Sequence, residues 1–395
     1  LRYVSKGHEH PFVVQPLPVN NLRVERTDNQ MLRLTWLPVK DEQEPTAVPT
    51  AYNIYISENG GGFDNGRIVQ GTSFVFEARR GVVYKFRVTA VNRGGESFPS
   101  ETLAAYLSPD ADAKDILVVD GFKRLSGPAI VDDNTRLGFD LDADMGVTLG
   151  LAAGWNGRQQ CFNRSRGGSE GPNALGYSGD ELAGTFVMGN RQNASVCHVE
   201  NIARSGSYNV LSSSLEAFEN DFVKPSHYSV IDMAFGMQKD DGHSLVHYKT
   251  FSSTLQKQVM AFIRGGGRMF VSGAYIGSDM QRGDERDFLS GVFKTSYGGS
   301  DCNQTNNTVN GLGISFDLIR HPNAVHYAAT NVNVMRPANA SSFCAMQYAD
   351  GTDAAVAYDG ADYKCFVMGF PFECINSIKA RQQVMKAVMN FLTKK

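Results

Sequence analysis

The stretch ILVVDGF, Ile116 to Phe122, is four consecutive apolar residues followed by an acid and a glycine. A strand buried on both faces reads this way, with the polar residues at its carboxyl end, as in a parallel sheet covered by helices. YNVLSSS and YSVIDMAFG further along have the same character. Between Ser252 and Ile263 the period becomes helical: Leu255, Val259, Phe262 and Ile263 share a face, Ser252 to Thr254 offer N-caps, and Gly265 to Gly267 stop the helix. RMFVSGAYIGSDM then reads as strand, tight turn and helix start, and YKCFVMGF as a late strand. A last helix runs from Ser377 to Leu392 with Met385, Val388, Met389 and Leu392 inward. Strands alternating with helices imply a three-layer α/β domain over 113–395. The Gly-, Asn- and Ser-rich stretches 123–195 and 296–360 are expected to hold long loops and an antiparallel extension. Ligands of such sheets bind beyond the carboxyl ends of the strands. That rule gathers Asp120, Gly236 to Gln238, Gly273 to Asp279 and Phe370 to Glu373 around one crevice.

Upstream the period is two. Leu32, Leu34 and Trp36 alternate with Arg33 and Thr35; Tyr52, Ile54 and Ile56 follow; then Tyr84, Phe86, Val88 and Ala90 alternate with Lys85, Arg87 and Thr89. Short strands between turn-rich stretches such as ENGGGFDNG define an all-β sandwich. Trp36 in LTW, the strand YNIYIS and the run YKFRVTAVNRGGESFPS resemble strands B, C and F and the following loop of a fibronectin type III domain. Tyr84 and Asn92 match that family's Tyr and its Asn after strand F. The resemblance covers 16–107 and implies structural work for these residues: Trp36 and Tyr84 in the core, Asn92 in a turn. The family serves mostly as a spacer or interaction module. Residues 1–15 read as the tail of an upstream domain.

The bulk properties exclude several classes. The net charge of −3 over 395 residues gives no basic field for nucleic acid or an anionic membrane. No apolar run approaches the length of a membrane span. The chain opens at LRYVSKGHEH, without the pattern of a signal peptide, and reads as a mature or trimmed fragment. Six cysteines (Cys161, Cys197, Cys302, Cys344, Cys365, Cys374) fit either disulfides in an oxidising compartment or buried thiols.

Gly273-Ala274-Tyr275-Ile276-Gly277 has the spacing of a nucleophile elbow, in which two glycines let the chain turn sharply under an exposed nucleophile. The α/β domain resembles a class I glutamine amidotransferase, a flavodoxin-like sheet whose elbow carries a Cys and whose late strand is followed by His-Pro-Glu. Here Tyr275 stands at the elbow, and in GFPFE Phe370 precedes Pro371, with Glu373 retained. A phenol of ordinary pKa is a poor acyl-transfer nucleophile and a benzyl ring accepts no proton, so amidotransferase chemistry is expected to be lost. VSGAYIGSDM and GFPFECI, with the order of elements around them, are similar to a family of secreted bacterial proteins labelled xanthan lyase. Members commonly place these two domains after an N-acetylmuramoyl-L-alanine amidase domain, whose zinc ligands this chain does not carry.

The remaining motifs are weak. His243 and His247 have helical metal spacing without a Glu at the second position. Asp140, Asp142 and Asp144 resemble the start of a calcium loop, but Gly146 comes one place late and Leu151 stands where a Glu is required. His8 and His10 lie near the terminus. Asn163, Asn193, Asn303, Asn306 and Asn339 begin sequons, expected on exposed loops. Cys197 and His198 are adjacent on a helical stretch, so one of them faces the core. The expectation is a non-catalytic pair of modules in a secreted, periplasmic or cell-surface protein, binding a glycan or peptidoglycan fragment or positioning an upstream amidase, with no cofactor and no metal. The candidate ligand residues are Asp120, Gln238, Tyr275, Ser278, Asp279 and Glu373. A polysaccharide lyase or hydrolase is the alternative.

Overall fold

The computed structural model describes residues 12–123, 129–133, 135–140, 159–160, 178–179, 194–240, 247–301, 307–320, 327–329 and 331–394. The first eight strands are β1 (Asn20–Arg26), β2 (Met31–Leu37), β3 (Ala51–Glu58), β4 (Arg67–Val69), β5 (Ser73–Glu77), β6 (Val83–Asn92), β7 (Gly95–Glu96) and β8 (Leu103–Tyr106). β1, β2 and β5 form one antiparallel layer, and β4, β3, β6 and β8 the other. The alternation in the sequence is the alternation of burial: Leu32, Leu34, Trp36, Ile54, Phe86 and Val88 are fully enclosed between the layers. Tyr84 is also buried, and its hydroxyl accepts the backbone N–H of Arg79 at 3.1 Å, which ties the corner into β6. Asn92 holds the other end, donating to Val14 O at 2.7 Å and accepting from the Gly94 N–H at 2.7 Å.

The second region is mixed α/β and strand-rich. Its elements are β9 (Lys114–Asp120), the pairs β10 (Ala129–Asp133) with β11 (Arg136–Asp140) and β12 (Gln159–Gln160) with β13 (Ser178–Gly179), then α1 (Ala194–Ala203), β14 (Tyr208–Ser214), α2 (Leu215–Glu219), β15 (Val230–Gly236), α3 (Ser253–Arg264), β16 (Arg268–Gly273) and α4 (Gly283–Phe288). There follow β17 (Thr295–Asp301), β18 (Thr308–Gly311), β19 (Ile314–Asp317), β20 (Val332–Pro337), β21 (Ser342–Tyr348), β22 (Asp353–Asp359), β23 (Lys364–Met368) and α5 (Ile378–Thr393). Five strands are parallel in the order β14-β9-β15-β16-β23. The antiparallel strands β22, β21, β18 and β19 continue the sheet beyond β23. Alternate residues along each parallel strand supply opposite faces. Ile116, Val118, Val230 and Phe270 pack with Val199 and Ile202 of α1 and Val384 and Val388 of α5. Leu117, Val119, Ile231, Met233 and Val271 pack with Leu255, Val259 and Ile263 of α3.

The two regions share a strand edge. On the side away from β9, β14 pairs antiparallel with β8 at Val210↔Tyr106 and with β1 at Arg23↔Ser213. Ser212 Oγ accepts the Ala104 N–H at 2.9 Å and donates to Ala104 O at 2.5 Å, and Ser195 Oγ donates to Thr102 O at 3.0 Å. Asn209, fully buried, accepts from the Ser108 N–H at 3.0 Å and donates to Ala113 O at 3.0 Å and Asp115 Oδ1 at 2.8 Å. One continuous apolar cluster runs from Trp36 and Leu34 in the sandwich through Leu103, Ala105 and Leu107 to Leu117 and Leu211. The sandwich is thus built onto the parallel sheet rather than hung from a linker. Asn209→Ala strands a buried N–H and a buried carbonyl, and is expected to cost about 3 kcal/mol in urea denaturation of the whole chain.

Candidate functional site

Strand order reverses between β9 and β15, because the chain leaves β9 toward β14 and returns to β15 on the other side. Connections diverge at such a point, and the rule for open α/β sheets expects a ligand crevice above the carboxyl ends. Asp120 ends β9 there, fully buried. Gly236 ends β15 at φ 49°; a Cβ in its place would lie 2.5 Å from the Phe122 ring and 3.0 Å from the Tyr327 hydroxyl. The two rings meet edge to face, 5.4 Å between centroids. Asp120 Oδ1 accepts a long 3.3 Å bond from the Phe122 N–H, and among the described residues its Oδ2 has no hydrogen-bond partner. Burial pushes this carboxyl up to about 7; Lys123 opposes the rise, while Glu101 and Glu373 add to it. Burial works against the Lys123 ammonium as well, but Glu101 and Glu216 outweigh it and hold the group above its usual range.

Beside these strand ends runs a chain of buried polar groups. His198 Nδ1 is 2.6 Å from Asp232 Oδ2, its Nε2 is 3.3 Å from Glu373 Oε2, and the Tyr327 hydroxyl donates to Glu373 Oε1. With a carboxylate at each ring nitrogen, both nitrogens are assigned as donors, which makes the ring an imidazolium. Burial alone would lower the His198 pKa; Asp232 and Glu373 overcome it and push it up to about 10. Burial raises Asp232, partly offset by His198. Burial would raise Glu373 too, but His198 and Tyr327 hold it below the usual carboxylate range. Sequence reasoning missed this chain, although it contained a signal. Asp232 interrupts an apolar run at a position in phase with Val230, which packs under α1 and α5. A charge there requires a partner on the covering helix. His198, not Cys197, is the fully buried member of the adjacent pair.

The elbow is filled by the protein itself. Tyr275 is 3% exposed, clustered with Phe122, Met237 and Ala274 against Tyr327, and the Lys239 ammonium lies 4.8 Å above its ring. The Gly277 and Ser278 N–H groups both donate to Asn333 Oδ1 at 2.8 Å, and Asn333 Nδ2 donates to Ser278 Oγ at 3.2 Å and Ser300 Oγ at 3.0 Å. Phe370 is fully buried between the rings of Phe316 and Tyr348. Asp279 accepts the Asp240 N–H at 3.0 Å and the Thr250 N–H at 2.8 Å, with Lys249 3.4 Å away. Gln238 accepts the Lys123 N–H at 2.9 Å. Of the six residues expected to bind ligand, Asp120, Gln238, Tyr275 and Glu373 lie at or just beyond the carboxyl ends of β9, β15, β16 and β23, all buried. Ser278 and Asp279 belong to separate bonded networks.

The weaker motifs divide similarly. His8, His10, His243, the loop from Asp142 to Leu151, Cys161, Cys302, Asn163, Asn193, Asn303 and Asn306 lie outside the described residues. His247 is exposed on a cleft of about 390 Å³ that it lines with Asp240, Lys249, Asp279, Gln281, Arg282 and Glu285. Among the described residues no cluster of three His, Cys, Asp or Glu groups could hold a metal. Cys197, Cys344, Cys365 and Cys374 are free thiols, and burial pushes Cys197 and Cys365 up to about 12, far from the thiolate a nucleophile needs.

Residues 17–106 match the fibronectin type III domain, and this part of the chain is such a domain. No curated protein matches. Solved structures match over about a quarter of the chain. The twitchin kinase region from C. elegans is 26% identical over 25% of this chain and 18% of its own, with a TM-score of 0.22. Titin domains A168–A170 are 23% identical over 22% of this chain and 30% of theirs, with a TM-score of 0.20. Rat CD45 extracellular domains d3–d4 are 18% identical over 23% of this chain and 51% of theirs, with a TM-score of 0.20. The chain thus spans less than two thirds of each of these structures. Among the described residues no helix is long and apolar enough to cross a membrane.

Two outcomes follow from the titrations. An Asp raised from about 3.9 when unfolded to about 7 when folded lends stability at low pH that is lost as pH rises between those values. Asp120→Asn should therefore exceed the wild type by ~2–4 kcal/mol in urea unfolding at pH 8 and match it at pH 4. Equal effects at both pH values would contradict the placement of Asp120. His198 contributes stability that is complete below about pH 6.5 and disappears as pH rises through about 10. His198→Ala leaves Asp232 and Glu373 without their cation and should cost ~3–5 kcal/mol at pH 7.

Proposed function

We propose that the chain is a non-catalytic pair of modules from a secreted, periplasmic or cell-surface protein that processes cell wall or glycan. The crevice between β9 and β15 binds a glycan or peptidoglycan fragment, or positions such a substrate for an upstream amidase domain. The observation that carries this reading is the state of the elbow. A buried phenol occupies the nucleophile position, and the two backbone N–H groups that could steady an oxyanion are bonded to Asn333. The parallel strands run in the sequence order 2-1-3-4-5. That order supports the reading of the domain as flavodoxin-like and amidotransferase-like, with the fold kept and the chemistry lost. The crevice has the composition that sugar recognition uses: the aromatic rings of Phe122 and Tyr327 beside the carboxyls of Asp120 and Glu373. A fibronectin type III domain suits binding or scaffolding, and such domains are common in extracellular proteins.

A polysaccharide hydrolase or lyase is the second reading, favoured by one observation. Asp120 is poised near neutrality, where a general acid works best. One experiment separates the two. The purified chain is titrated by calorimetry with xanthan oligosaccharides, other glycans and muropeptides, and each mixture is then analysed for products. The proposal expects binding by at least one class without turnover, weakened tenfold or more by Asp120→Asn and by Tyr327→Phe, with Tyr275→Ala as a further control. Turnover abolished by Asp120→Asn would establish the second reading. Binding by no class would overturn both.

A further inference from the structure

Lys123 joins the two domains at the crevice. Its ammonium lies 2.8 Å from Glu101 Oε2, on the segment leading into β8, and 3.3 Å from Glu216 Oε2 on α2, while its backbone N–H holds Gln238. Glu101 is 3% exposed, so this ion pair is shielded from solvent and its geometry is set by packing. Asp120 lies three residues before Lys123, fully buried, and among the described residues its Oδ2 has no hydrogen-bond partner. A buried carboxyl close to a buried ammonium would ordinarily take that cation for itself. Here two other carboxylates take it, and one of them comes from the fibronectin type III domain.

We infer that Glu101 is a positioning residue of the crevice: by holding Lys123 it leaves Asp120 free to accept a hydroxyl of a glycan ligand. The inference rests on the reading of the crevice as a ligand site and makes the site incomplete without the sandwich. The groups that act on Asp120 are few. Lys123, Glu101 and Glu373 supply the charges, and the Phe122 N–H supplies the hydrogen bond. Its neighbours across the ladder, Ser214 on β14 and Ala234 on β15, carry no charge. An ammonium released from Glu101 keeps Glu216, 3.3 Å away, and the other buried carboxyl that acts on it is Asp120. The arrangement also explains why an unpaired carboxyl persists in a buried position, which costs stability unless a ligand uses it.

The test needs no ligand. The whole chain is labelled with ¹³C at aspartate side-chain carboxyls, the Asp120 signal is assigned by its absence in Asp120→Asn, and its shift is followed with pH. The wild type is expected to titrate near 7. Glu101→Gln removes a negative charge and loosens Lys123, and both effects lower the midpoint, by about one unit or more. Lys123→Met raises it by a comparable amount, and Lys123→Arg restores the wild-type value. A Glu101→Gln chain that melts earlier than the wild type with an unmoved Asp120 midpoint would make Glu101 a structural residue alone and overturn the inference. Should Lys123→Met fail to fold, Glu101→Gln decides by itself. Failure to find a glycan would leave this titration unchanged, and failure of the titration would leave glycan binding open to direct measurement.

Discussion

The rest of the structure depends on strand β14 being paired on both edges. On one side it is the outer strand of a parallel sheet, in register with β9 from Tyr208 to Ser214. On the other it meets β8 and β1 of the sandwich. An outer strand left bare presents unpaired N–H and C=O groups and invites aggregation. Here the fibronectin type III domain covers that edge, and Asn209 and Ser212 supply side-chain hydrogen bonds where the ladder alone does not reach. The consequence reaches the end of β9, because the segment that leads into β8 carries Glu101 to Lys123.

Charge is distributed unusually in this interior. Asp232, His198 and Glu373 form a line in which one imidazolium answers two carboxylates, and Tyr327 completes Glu373 from the crevice side. Buried ions of this kind stabilise a fold only when each retains its partners. The line crosses between α1, β15 and the turn after β23, and so fixes the register of the helix against the sheet. It ends at the Tyr327 hydroxyl, and a Cβ at Gly236 would lie 3.0 Å from that hydroxyl and 2.5 Å from the Phe122 ring, so the charged line adjoins the packing at the end of β15. By contrast the turn after β16 is a packing feature, with Asn333 holding its amides and Tyr275 closing its apolar cluster.

Much of this was legible in the sequence. Period-two alternation around Trp36 and Tyr84 marks the sandwich, and the apolar runs at Ile116, Val230 and Met269 mark the parallel strands, because burial on one face or on two leaves different patterns. The rule that ligands bind at carboxyl ends of strands singles out Asp120, Gln238, Tyr275 and Glu373, and the structure puts all four at or just beyond such ends. The burial of Tyr275 depends on Phe122 and Tyr327, which no local pattern connects to it. The pairing of β14 with β8 was hidden for a different reason. YNVLSSS carries three successive serines, which locally read as a strand running out into a turn. Only the partner on the far edge explains Ser212, whose hydroxyl serves both backbone groups of Ala104. Lys123, Glu101 and Glu216 were missed likewise, since a three-way ion pair between distant segments leaves no spacing to read.

Hydrogen–deuterium exchange of the intact chain tests most directly whether the sandwich and the sheet are one unit. The account predicts that the amides of β8 and β14 exchange together, at the slowest rates in the molecule and with the same free energy as the core of β9 and β15. Exchange of β1, β2 and β8 in a separate, faster unfolding step, with β14 and β9 still protected, would contradict it.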